Sequence, residues 1–255
     1  MIEPVAYQKK LEGKSNAHLI KFNDGKDYVV KFLQTGFEKA LPNEWISYCL
    51  ARYLGLPVPF AQIVEIPADF TIKIPEFSQI VESQYQFASL YIHDCLNGHE
   101  TSTSQIKNNQ SLASIIVFDY WLCNRDRTRK NILFQKKYDN TDHLWAIDHA
   151  EVFGSYNWQL ADLEKLPVGM IKSATHQMMA HFIEDEDSFS EQLELVQTIP
   201  IFLLEEFTEL IPSDWNVSRE EKKALVSALI RRRKKNLPWL IQRFIRKVYC
   251  QLHEN

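Results

Sequence analysis

Hydrophobic residues change their rhythm along this chain. In the first third they come in short runs that alternate with polar residues, at 5–11, 17–22 and 28–33, and this period of two predicts strands. The first two runs flank a small-residue loop, Glu12-Gly13-Lys14-Ser15-Asn16, and Asn23-Asp24-Gly25 turns the second into the third as a hairpin. A helix is predicted from Pro42-Asn43-Glu44 through residue 54, with Trp45, Tyr48, Cys49 and Arg52 at helical spacing. Gly55 stops it, and Pro57 and Pro59 follow as breakers. Extended pieces are predicted at 62–66, 71–74 and 79–82.

A polar Ser/Thr/Asn/Gln stretch at 99–110 reads as an exposed loop, and beyond it the pattern turns helical. Helices are predicted at 112–123, 176–183, 190–196, 201–210, 218–235 and 238–252, with one hairpin, 132–137 and 143–148, among them. The expected class is α+β in two lobes, a small antiparallel sheet with one helix over 1–92 and a mainly helical lobe over 93–255. A cleft is expected between them.

Three places in this pattern carry chemistry. After the apolar helix comes Asn124-Arg125-Asp126-Arg127-Thr128-Arg129-Lys130-Asn131, and Ile147-Asp148-His149 ends the returning strand. A carboxylate at Asp126, in a turn between helix and hairpin, can orient the proton of an attacking hydroxyl. Asn131 and Asp148, neighbours on the hairpin, could share Mg²⁺, a hard cation that prefers oxygen ligands. The basic residues of the loop could contact phosphate oxygens or hold the loop. Lys31 is the second place: a lysine inside Tyr28-Val29-Val30-Lys31-Phe32 is costly unless paired or facing a cleft. Glu44, thirteen residues on and opening a helix, is the expected partner, with Glu38 as the runner-up. Third, the loop 12–16 joins two strands and could cover phosphates with backbone N–H groups, with Ser15 and Asn16 adding donors beside its single Gly13. It is not a P-loop, having no glycine four residues before Gly-Lys-Ser. Together these make the arrangement required for phosphoryl transfer from a nucleotide.

In this order (small-residue loop, Val-Val-Lys-Phe, Asn-Glu helix, Asn-Arg-Asp-Arg-Thr-Arg-Lys-Asn-Ile-Leu, Ile-Asp-His) the chain resembles the HipA-like kinases. These are bacterial relatives of the protein-kinase and phosphatidylinositol-kinase superfamily. The resemblance spans residues 5–155 and implies a bilobal protein-kinase-like fold, ATP with Mg²⁺, and transfer to a hydroxyl, often of a protein serine. It assigns Lys31 to phosphate anchoring and Glu44 to its support, Asp126 to the catalytic acid, and Asn131 and Asp148 to the metal. His149 stands where protein kinases have Phe, as on the phosphatidylinositol-kinase and HipA side, and Ala150 stands where Gly is common. HipA toxins are much longer, so toxin biology is not implied.

Composition narrows the partners. A formal charge of −4 argues against nucleic-acid binding through overall charge. The strongest basic run, Arg231, Arg232, Arg233, Lys234 and Lys235, ends a helix that begins with Glu220 and Glu221, which suits the helix dipole and leaves an anionic partner as the alternative. The four cysteines lie far apart, and no signal pattern or membrane-length apolar run is present, so a cytoplasmic protein with reduced thiols is expected. Two other functions fit the same residues: a nucleotide-binding pseudokinase serving as an interaction module, and a small-molecule phosphotransferase of the aminoglycoside type. The acceptor, a protein or a small alcohol, is not written in these motifs, and neither is the choice between phosphoryl and adenylyl transfer.

Overall fold

A computed structural model describes residues 2–77, 83–101, 103 and 105–254. Five strands form one antiparallel sheet in the order β1-β2-β3-β5-β4: β1 Pro4–Lys10, β2 His18–Phe22, β3 Asp27–Lys31, β4 Ala61–Glu65 and β5 Tyr85–Leu90. The β2–β3 turn is closed as its sequence requires, with Gly25 at φ 80° and Asp24 accepting from the Lys26 amide at 3.0 Å. Alternation along β3 sends Tyr28 and Val30 to one face, where they join Ile20, Phe22, Val64 and Phe77 in a small core. Val29 and Lys31 are thereby turned to the opposite face.

Helix α1 (Ala40–Tyr53) packs on that opposite face and ends as expected, with Gly55 at φ 72° and its amide on the Arg52 carbonyl. Its Leu41, Ile46, Leu50 and Ala51 belong to the main core, which runs without a break into the second lobe. There α3 (Leu112–Leu122) is central, with every residue buried but Ser114. A three-stranded sheet, β6-β7-β8 (Cys95–Asn97, Ile132–Lys136, Asp142–Ala146), stands beside it. The remaining helices close the core: α4 Leu160–Glu164, α5 Ala174–His181, α6 Asp187–Thr198, α7 Ile201–Glu209, α8 Arg219–Arg231, α9 Leu237–Phe244 and α10 Cys250–His253. Among the described residues no helix is long and apolar enough to cross a membrane.

The structure revises several expectations. Residues 71–74 are not extended; a one-turn helix, α2 (Ala68–Thr71), runs into a 3₁₀ turn, Pro75–Phe77. Pro67 and Pro75 bracket this short segment, and Ile72 is 83% exposed, so its alternation has no neighbouring strand to serve. The piece predicted at 79–82 lies outside the described residues. Strands β5 and β6 and the helix α4 were not anticipated. Helices α8 and α9 are joined by a π-helical turn at Arg232–Asn236, which rolls Arg232 and Arg233 inward. Arg232 donates to the carbonyls of Trp121, Tyr120 and Pro167, and Arg233 to those of Val196 and Ile199. The basic run is therefore not a five-residue surface; within it Lys234 and Lys235 are exposed, Arg231 is half-buried, and Arg232 and Arg233 are buried.

Candidate active site

A cavity of about 520 Å³ opens between the two lobes. Its roof is the β1–β2 loop with Glu12, Gly13, Lys14 and Ser15, and its back is the cleft-facing side of β3 and β5. Asp126, Thr128, Lys130 and Asn131 come from below, and Ile147 to Glu151 close the inner end. Seven of the eight sequence-predicted site residues line this one space. Asn16 does not: it takes a left-handed conformation at φ 47°, and its buried Oδ1 has no hydrogen-bond partner. The loop covers the cleft through Gly13 and Ser15, and Asn16 lies outside the cavity lining.

Lys31 makes the central contact. Its ammonium donates to Glu44 Oε1 and, at 2.7 Å, to Asp148 Oδ1, while Glu38 turns away to accept from the Gly36 amide. Burial works against the charge on Lys31, but the Asp148 and Glu44 carboxylates outweigh it and hold the ammonium above its usual range. Glu44 responds mainly to its own burial, which raises it. Asp148, with burial also opposing, is held down to about 2 by Lys31. Asp148 sits at φ 57°, a backbone conformation that a non-glycine residue adopts at some cost. The segment after it is pinned to α1 by Asn43, whose Nδ2 donates to the carbonyls of Ala150, Val152 and Ser155 and whose Oδ1 accepts from Trp158.

Across the cleft, Asn131 Nδ2 donates to the Asp126 carbonyl at 2.6 Å and to its carboxylate at 3.1 Å. The Ile147 amide donates to the Asn131 carbonyl at 3.0 Å, so Asn131 and Asp148 arrive from adjacent points of the β7–β8 hairpin. With Nδ2 committed to Asp126, Asn131 presents Oδ1, and Asp148 keeps Oδ2 beyond its bond to Lys31. No group of three His, Cys, Asp or Glu that could hold a metal occurs among the described residues. A carboxylate and an amide oxygen suit Mg²⁺, which commonly takes only one or two carboxylates and completes its shell with water and phosphate.

Sequence reasoning missed two things here. The end of β5 supplies Ser89 and Leu90 and the connection leaving it Tyr91 and Ile92 to the cavity wall, beside Ala17, Val29 and Leu133, an apolar slot of the kind that takes a planar base. No single motif marks it, because it exists only when β5 pairs with β3 and β4. The other is Asp119, an acid inside the apolar α3. The rule that exposed Lys31, a charge in an apolar run, would have found it. Of the loop's four basic residues Lys130 lines the cavity, while Arg125, Arg127 and Arg129 do not; Arg127 points inward to Asp119 and holds the loop.

The fold is shared with kinases of low sequence identity. The Helicobacter pylori proinflammatory kinase CtkA aligns with a TM-score of 0.62 at 14% identity, over 96% of this chain and 96% of that one. A Golgi casein kinase solved with Mn and ADP bound aligns at 0.55 and 12%, over 97% of this chain and 74% of that one. The class is thus a kinase-like fold with a sheet-rich first lobe and a helical second lobe. A family model for HipA-like kinases matches residues 5–243, and the chain belongs to that family. A comparison with curated protein sequences finds no match.

Proposed function

We propose that this HipA-like kinase is ATP- and Mg²⁺-dependent and transfers the γ-phosphoryl group to a hydroxyl, of Ser or Thr or of a smaller alcohol. The observation that carries this reading is the joint placement of Lys31, set between Glu44 and Asp148, and the Asp126–Asn131 pair around one cavity. The nucleotide and metal of the Golgi casein kinase support it by analogy of fold. Asp126 is partly exposed, and its carboxylate can orient the proton of an incoming hydroxyl. Lys31 offers its ammonium to phosphate oxygens while Glu44 keeps it in place. Gly13 and Ser15 roof the cleft, which excludes water from the transferred group. Asn131 Oδ1 and Asp148 would hold Mg²⁺, which when bound would neutralise charge developing on the phosphates.

The test is incubation with γ-labelled and with α-labelled ATP, with and without a lysate of the source cell, for the wild type and for Asp148→Asn. Label from the γ position on an acceptor, lost in the variant, is the expected result. Label from the α position would replace the reading with adenylyl transfer. Nucleotide binding without transfer to any acceptor would replace it with a pseudokinase.

A further inference from the structure

The most deeply buried charges among the described residues lie beneath the loop, outside the cleft. Asp119 has no exposed surface, and both its oxygens are fully engaged. Oδ1 accepts from Asn124 Nδ2 at 2.8 Å and Arg127 Nη2 at 3.1 Å, and Oδ2 from Arg127 Nε and His176 Nε2, both at 2.9 Å. Arg127 is as deeply sealed, and spends the rest of its fork on the active-site backbone. Nη1 donates to the carbonyls of Asn131 at 2.9 Å and Ile147 at 2.7 Å, and Nη2 reaches His149 Nε2 at 2.8 Å. Asn124, on its other side, accepts from the Asp126 amide at 3.2 Å. Asp126 is thus bracketed by Asn124 and Arg127, and Asn131 and Asp148 are held through the same guanidinium.

A buried ion pair is a poor device for stability alone, because apolar residues of similar volume often serve as well or better. What this pair does that a leucine could not is fix the directions of four separate chain segments. We infer that Asp119 and Arg127 are positioning residues of the active site, setting Asp126, Asn131 and Asp148 relative to one another. The consequence for rate rests on the phosphoryl-transfer reading; the positioning itself does not.

The test replaces both partners by apolar groups, Asp119→Leu with Arg127→Met, to remove the directional bonds without stranding a buried charge. Two readouts are taken. Hydrogen exchange at the Asn131 and Ile147 amides reports the loop without any acceptor; exchange faster by at least about tenfold is expected there, with α8 and α9 unchanged. ATP turnover is expected to fall by about a hundredfold, the cost of misplacing reacting groups by about an ångström. KM for ATP should stay within about threefold, as for loss of an interaction made in the transition state. Unchanged exchange at those two amides, or turnover within about threefold of the wild type, overturns the inference. A wild type with no turnover removes the phosphoryl-transfer reading, and exchange then decides the positioning alone. Should the double variant fail to fold, Arg127→Lys keeps the charge, lacks the fork, and is judged by the same two readouts.

Discussion

Two ion clusters lie close together in this molecule and are built alike, yet they meet solvent differently. In one, Lys31 lies between two carboxylates, and the side-chain exposures are 10% for Lys31, 5% for Glu44 and 32% for Asp148. In the other, Asp119 and Arg127 are both at 0%. The first is open at Asp148, so a partner entering the cleft can compete for Lys31 and for that carboxylate. The second is closed on every side and has no bond to exchange. Similar charges therefore make a binding site where one wall is missing and a fixed frame where none is.

The contrast breaks first on activity. Asp148→Asn should lower ATP turnover by about a thousandfold, because phosphoryl transfer depends on charge placed at the phosphates. Its thermal unfolding should shift little, since Asp148 is a third exposed and Lys31 keeps Glu44. A large loss of stability would make the open cluster structural too. Asp119→Ala should do the reverse in kind, costing about 3–5 kcal/mol in denaturant unfolding because it strands the Arg127 guanidinium. A cost below about 1 kcal/mol would erase the distinction. A smaller effect is expected at Gly98, whose added Cβ would stand 2.9 Å from the Arg129 carbonyl and 3.0 Å from Ile132. Gly98→Ala should cost about 1–3 kcal/mol in denaturant unfolding as an overpacked site and displace the Arg129 carbonyl, lowering turnover with it.

How much of this was legible beforehand follows from what each feature depends on. The loop 124–131, Lys31 and Glu44 could be read because each breaks a local pattern: polar residues after an apolar helix, a lysine in a strand, an acid at a helix start. The hairpin turn and the Gly55 stop were legible because backbone geometry there is decided by one residue. Residues 71–74 misled because alternation predicts a strand only where a neighbouring strand exists, a tertiary fact. Arg232 and Arg233 misled for a related reason: a π-helical turn changes which side of the helix a residue faces, and no composition rule registers it. Asp119 was legible in principle. It was passed over because it stands outside the motif whose residues it holds.

Acid sharpens the comparison through the slope of stability with pH. His149 lies between the clusters, directly after Asp148, and its Nε2 accepts from Arg127, so the proton of the neutral ring sits on Nδ1. Burial, helped by that guanidinium, lowers the ring to about 3. His18, buried in the first lobe among Tyr7, Phe32 and Phe77, is lowered to about 4, mainly by burial. Below about pH 6.5 the unfolded chain takes up protons that these two rings refuse, so each makes the fold less stable by up to about 1.4 kcal/mol per pH unit. The loss begins as pH falls through 6.5 and ends near each folded value. Asp148, held at about 2 by Lys31, stays ionised across that window. Acidification between pH 6.5 and 4 should therefore strain the closed frame while leaving the open cluster's charges intact. His149→Gln, whose Oε1 can still accept from Arg127, should flatten the fall in unfolding free energy measured at pH 7, 6, 5 and 4, leaving the shares due to His18 and to His143, which burial also lowers. An unchanged slope would mean that the ring next to Asp148 takes up its proton within the fold, and the closed frame would then extend only as far as Ile147.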